Sequence, residues 1–119
     1  MQLKNIIGDF GQKIARDFFQ KRGYKIRTEN FFTQNGEIDL IVEKDSQIVF
    51  AEVKTRLSDK FGLPEEAIDK KKIGRLRLAA LKYLAEAQIG NDNYRFDCVA
   101  VEIDKKHKKA KIRHHKNFI

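Results

Sequence analysis

Asp39, Glu52 and Lys54 are ionisable residues inside two otherwise apolar runs, Gly36-Glu37-Ile38-Asp39-Leu40-Ile41-Val42 and Val49-Phe50-Ala51-Glu52-Val53-Lys54-Thr55. Charges in such runs need partners, because an unpaired ion is costly to take out of water. Side chains alternate faces along a strand, so Glu52 and Lys54 share one face while Val49, Ala51 and Val53 share the other. If the runs pair as a hairpin across Lys44-Asp45-Ser46, Asp39 comes to the same end of the sheet as Glu52 and can share its face. Two converging carboxylates raise one another's pKa unless a cation sits between them. A divalent ion answers that requirement. Magnesium, or manganese, takes oxygen ligands from one or two carboxylates and keeps waters that phosphate oxygens can displace. Asp39 and Glu52 supply such oxygens, and the Val53 backbone carbonyl can add another. Lys54 stands beside the attacking water, where it holds or activates it and offsets charge on the phosphate. That chemistry is phosphodiester hydrolysis. The competing reading is a salt-bridged patch on a half-exposed sheet face, and acid-x-Lys alone does not separate the two.

The elements that position these groups are legible in the apolar periodicity. Ile6, Ile7, Phe10, Ile14, Phe18 and Phe19 recur at the spacing of an amphipathic helix, which Gly23 can stop. Tyr24 to Phe32 reads as an extended edge segment with Tyr24, Ile26 and one of Phe31 or Phe32 inward, followed by a turn at Thr33-Gln34-Asn35-Gly36. Glu37 to Glu43 and Gln47 to Thr55 make the hairpin, and Arg56 to Gly62 a loop. Pro64 suits the first turn of a helix running to about Gln88, with Ile68, Ile73, Leu76, Ala80, Leu81, Leu84 and Ala87 inward and a candidate break at Gly74. After a turn at 90–93, Arg95 to Ile103 and Ala110 to His115 read as strands. Helix, strands, helix, strands specify an α/β domain with a mixed sheet flanked by helices.

A chain of 119 residues suffices for one core, and it reads as a single domain ending in a basic segment at about 105–119. The net charge of +8 and the pI near 9.6 suit a polyanionic partner, nucleic acid ahead of a membrane surface. Arg56, Lys70, Lys71, Lys72 and Arg75 flank the candidate site and are candidates for phosphate contacts; a solvated helix face is the alternative. The segment with Lys105, Lys106, Lys108, Lys109, Lys111, Arg113 and Lys116 reads as a basic arm or edge strand. His114 and His115 are neighbours, so on a strand they point oppositely and cannot share a zinc ion. Arg95 and Asp97 share a face and read as a structural pair. Cys98 is the only cysteine, which excludes an internal disulfide, and its apolar run suits an inert buried thiol. With neither a signal-peptide apolar region nor a window of ~18 apolar residues, a soluble cytoplasmic protein is expected.

With these residues in view, the chain resembles the YraN-like family of uncharacterised proteins regarded as endonucleases. That family lies within the PD-(D/E)XK nuclease superfamily, beside archaeal Holliday-junction resolvases and many restriction enzymes. The blocks that carry the resemblance are Gly36-Glu37-Ile38-Asp39-Leu40-Ile41, Phe50-Ala51-Glu52-Val53-Lys54-Thr55-Arg56, Phe61-Gly62 and Arg95-Phe96-Asp97, within about Asn5 to Glu102. It implies a restriction-endonuclease-like core in αβββαβ order, in agreement with the periodicity. It carries the metal ligands onto Asp39 and Glu52 and the catalytic lysine onto Lys54; Glu37 matches without an assigned role. One departure stands out. The family's first helix usually reads Gly-Glu, where superfamily relatives place a third acid near the metal, and this chain has Gly11-Gln12. An amide brings no charge, so one metal or slow turnover is expected. The function implied is a metal-dependent endonuclease acting on nucleic acid, DNA first, with structure-directed cleavage and a homodimer suggested by the resolvases. The alternatives are a nucleic-acid-binding module with an inactive nuclease site and a basic interaction subunit.

Overall fold

The runs around Asp39 and Glu52 form adjacent antiparallel strands, β2 (Gly36–Lys44) and β3 (Gln47–Leu57), joined by Asp45 and Ser46. Both turn residues have positive φ, 51° and 65°, the conformation that matches a two-residue hairpin to the twist of its strands. The computed structural model describes residues 3–58, 63–90 and 92–119; the Phe61-Gly62 block lies outside them. β1 (Lys25–Thr33) pairs antiparallel with β2, β4 (Tyr94–Asp104) parallel with β3, and β5 (Lys109–His115) antiparallel with β4. The sheet order is therefore β1-β2-β3-β4-β5, mixed as expected. A parallel pair needs a crossover, and α2 (Lys70–Glu86) lies on the connection from β3 to β4.

Alternation gives the sheet two apolar faces, one for each helix. α1 (Leu3–Lys21) lays Ala15 and Phe19 on Leu40, Val42, Val49, Ala51, Val99 and Val101. It ends where Gly23, at φ 86°, lets its own N–H reach Gln20 O and the Tyr24 N–H reach Phe19 O, both at 3.0 Å. α2 lays Leu76, Ala79, Ala80, Tyr83 and Leu84 on the other face, against Ile38, Ile41, Ile48, Phe50 and Phe96. Among the described residues no helix is long and apolar enough to cross a membrane.

Several expectations change in detail. The second helix is not continuous from Pro64: a 3₁₀ turn (Pro64–Ala67) is followed by extended Ile68 and Asp69 before α2 begins. The Asp69 carboxylate accepts the Lys72 N–H at 2.9 Å, so this side chain starts a new helix instead of leaving the old one to propagate. Gly74 causes no break. Leu81 is exposed, and Ala79 and Tyr83 are the buried positions that the sequence reading omitted. β3 continues through Arg56 to Leu57, residues expected in a loop. On β1 it is Phe31 that packs inward, edge-on to Tyr83, while Phe32 is exposed. On α1, Ile6 and Phe10 remain about half exposed, because Ala15 and Phe19 make the deeper contacts with the sheet.

α1 packs tightly on β3 at Gly11, where a Cβ would overlap the Thr55 side chain. Gly11→Ala gains helix propensity of about 1 kcal/mol but forces helix and strand apart, an overpacking cost of about 1–3 kcal/mol. Thermal melts should show a net loss of stability; a variant that melts above the wild type would contradict this packing.

Candidate active site

The β2–β3 ladder stops at Leu40–Ala51, short of the ends of both strands. β2 departs from strict alternation there: Ile38 and Ile41 both face α2, while Leu40 faces α1. Opposite Asp39 on β1, Asn30 takes a positive φ of 54°, and the regular pairing skips that position. The two central strands thus part beside Asp39, and its carboxylate fills the fork by accepting the Val53 N–H at 2.8 Å. A residue facing an antiparallel neighbour turns both its N–H and its C=O to that side. The Val53 carbonyl therefore opens into the same fork.

Asp39 and Glu52 line one pocket of about 200 Å³ with Gly36, Glu37, Lys72, Arg75 and Leu76. Glu52 is only 3% exposed. Its Oε1 lies 2.8 Å from the Lys72 Nζ and 3.6 Å from the Lys54 Nζ. Burial and then the Glu52 charge push the Asp39 carboxyl up to about 7, against the opposing effect of the Val53 hydrogen bond. Burial and the adjacent Lys72 side chain lower the Lys54 pKa. Burial opposes the charge on Lys72 as well and is the largest single influence, but the hydrogen bonds to Glu52 and Lys54 and the charges of Glu52 and Asp39 together outweigh it and leave Lys72 above its ordinary value. Two lysines therefore serve one carboxylate, and Asp39 holds its proton into the neutral range.

The residues singled out in the sequence divide into three groups. Asp39, Glu52, Val53 and Lys54 come together as expected. Lys72, read from sequence as a surface phosphate contact, instead turns into the pocket as the nearest cation to Glu52; its place in the first turn of α2, just past the Asp69 cap, aims it there. Arg75 lines the same pocket, and Glu37 does so as a further acid whose charge raises Asp39. Lys70 and Lys71 are exposed on the first turn of α2, and alternation puts Arg56 on the strand face of Glu52 and Lys54. Gln12 is not among the pocket residues; its neighbour Gly11 abuts Thr55 on the opposite face of the sheet.

The basic C-terminal segment is an edge strand, and part of its charge is spent internally. Arg113 holds Glu65 of the 3₁₀ turn at 2.7 and 2.8 Å, and those bonds bring the Glu65 pKa down to about 2. His115 meets Glu65 and His114 meets Asp97, each at 2.7 Å, so the two histidines face different partners. Arg95 bonds both Asp97 oxygens, at 2.9 and 3.1 Å, and also the Tyr24 hydroxyl: a buried structural network beneath α1. Cys98 adjoins Glu52 in the β3–β4 register, and burial pushes its thiol up to about 12, which keeps it inert at neutral pH.

The donor set fits one hard cation. Asp39, Glu52 and the Val53 carbonyl offer oxygen ligands only, which suits magnesium or manganese. No cluster of three or more His, Cys, Asp or Glu side chains able to hold a metal occurs among the described residues, so the remaining positions would fall to water. Lys72 now supplies the positive charge that such an ion would bring.

A mixed five-stranded sheet between two helices, with carboxylates and a lysine gathered where its central strands part, has the restriction-endonuclease-like layout. Within that class, the profile of the family described as "Uncharacterised protein family UPF0102" matches residues 11–101, and the chain belongs to that family, also called YraN-like. It is 44% identical over 108 residues to a UPF0102 protein of Syntrophomonas wolfei, covering 91% of this chain and 92% of the relative. With a UPF0102 protein of Caldicellulosiruptor bescii it shares 45% identity over 114 residues, 94% of each chain.

Proposed function

We propose that the protein is a metal-dependent endonuclease that hydrolyses phosphodiester bonds of nucleic acid, DNA in particular. The observation that carries this reading is the pairing of Asp39 with Glu52 at the strand fork, with Asp39 pushed up to about 7 although two lysines are near. A purely structural ion pair needs one acid and one base; a second, unneutralised carboxylate beside it weakens the fold and calls for a different purpose. A magnesium or manganese ion, if bound there, would supply Lewis-acid chemistry, polarising the phosphate and making water a better nucleophile.

The chain's own residues do the rest. Asp39 and Glu52 would hold the ion, and the Val53 N–H keeps the Asp39 carboxylate oriented. Lys54, its pKa lowered, positions the attacking water and offsets charge building on the phosphate oxygens. Arg75 at the pocket and exposed Lys70 and Lys71 on the first turn of α2 are placed to hold the flanking backbone, where the helix N-terminus also favours anions. The 2.8 Å Lys72–Glu52 pair favours a second reading, a nucleic-acid-binding module with a closed site, because it gives Glu52 a partner without metal. Cleavage of labelled DNA with and without metal separates the two.

Both readings draw affinity from phosphate neutralisation. With about four phosphates contacted, affinity for duplex DNA should fall on the order of 100-fold between about 50 and 200 mM salt and depend little on sequence. Binding isotherms across a salt series on two unrelated sequences test this; affinity indifferent to salt removes nucleic acid as the partner.

A further inference from the structure

We propose that the groove between α1 and β5 docks an acidic amphipathic helix of a partner protein. α1 carries two neighbouring apolar ridges at four-residue spacing. Gly11, Ala15 and Phe19 form the ridge against the sheet. Ile6, Phe10, Ile14 and Phe18 form the other and line two adjoining cavities of about 590 and 490 Å³, which share Ile14 and Ala110. Across the groove stand Ala110 and Ile112 of β5. Ile6 and Phe10 are 47% and 49% exposed, an unusual outlay of large apolar surface for a chain this charged.

Shape and charge choose the occupant. A ridge of residues four apart is what a second helix packs against, and the rise from Ile6 to Phe18, at about 1.5 Å per residue, offers roughly 18 Å, some three turns of contact. The apolar residues line a furrow, not a crest, which suits a helix better than a flat bilayer. Lys21 and Arg22 stand at one end of the groove and Lys105, Lys108 and Lys109 at the other. Of the two acids there, Asp104 is engaged by His107 at 2.7 Å and Asp17 lies 3.8 Å from Arg16. A helix with an apolar stripe flanked by Asp and Glu complements this surface, whereas a second copy would set its own excess of lysines against it. The groove lies on the face opposite the Asp39–Glu52 pocket, so partner and nucleic acid can be held together, and nothing here depends on the cleavage reading.

The test is selection of the full chain against a displayed library of helical peptides unbiased in charge. Enriched peptides should carry apolar residues three and four apart flanked by carboxylates. Their affinity should fall at least tenfold for Phe10→Ser and, separately, for the combined Lys105→Glu, Lys108→Glu and Lys109→Glu variant, each checked by melting to be folded. An empty selection, enrichment of basic or uncharged helices, or binding indifferent to both variants overturns the proposal. So does a dimer in sedimentation, or binding to phosphatidylglycerol vesicles, that Phe10→Ser abolishes.

Discussion

At pH 8 and without divalent metal, Asp39→Asn should melt above the wild type, and the advantage should disappear as the pH falls toward 4. In the folded chain the Asp39 carboxyl titrates at about 7, against an ordinary value of 3.8. A folded-state pKa that is raised means stability fully present below pH 3.8 and lost as the pH climbs through about 7. Each pKa unit is worth about 1.4 kcal/mol, so the penalty at pH 8 is on the order of 4 kcal/mol. Asparagine removes the charge and keeps an oxygen for the Val53 N–H. Magnesium should close most of the gap: at 100 times its dissociation constant it stabilises the wild type by about 2.7 kcal/mol and leaves the variant unmoved. Were Asp39 simply a partner for a lysine, Asp39→Asn would lower the melting temperature at pH 8 and magnesium would change neither protein.

Lys54→Ala should reduce cleavage by about 10²–10⁴-fold while leaving the fold and the metal affinity nearly intact. The separation is possible because, among the described residues, Glu52 has two cations and the closer one is Lys72, at 2.8 Å against 3.6 Å. Losing the longer contact costs on the order of 1 kcal/mol, because Lys72 still partners the buried Glu52 and leaves no uncompensated charge. Lys54→Arg should not restore the rate, since a planar guanidinium keeps its charge and spreads its donors differently from an ammonium. Single-turnover cleavage beside magnesium-dependent melting reads both quantities; a Lys54→Ala rate within a few-fold of wild type would remove the lysine from the chemistry.

Much of this site was legible in the sequence because it is built from strands. Alternation alone places Glu52 and Lys54 on one face, and the hairpin brings Asp39 to the same end. The fork was not legible. It rests on the β2–β3 ladder ending at Leu40–Ala51 and on β2 breaking alternation between Ile38 and Leu40, and nothing in an Ile-Asp-Leu-Ile run announces either. The inward turn of Lys72, read as a phosphate contact, was not legible for a related reason. A run of three lysines looks like a solvated helix face until Asp69 is recognised as the cap that begins α2, and only the cap fixes which of the three turns inward. Helix periodicity misled in a third way: α1 has more apolar residues than the sheet can cover, so Ile6 and Phe10 read as core but lie half exposed.

The central claim is best tested by incubating the protein with labelled linear, flapped and four-way DNA in magnesium or manganese, beside Asp39→Asn, Lys54→Ala and an EDTA control. The wild type should cut at least one of these substrates only when metal is present, and neither variant should cut at a comparable rate. A wild type that cuts none of them with either metal, or variants that cut as fast as it does, would contradict the assignment of a nuclease centre to Asp39, Glu52 and Lys54.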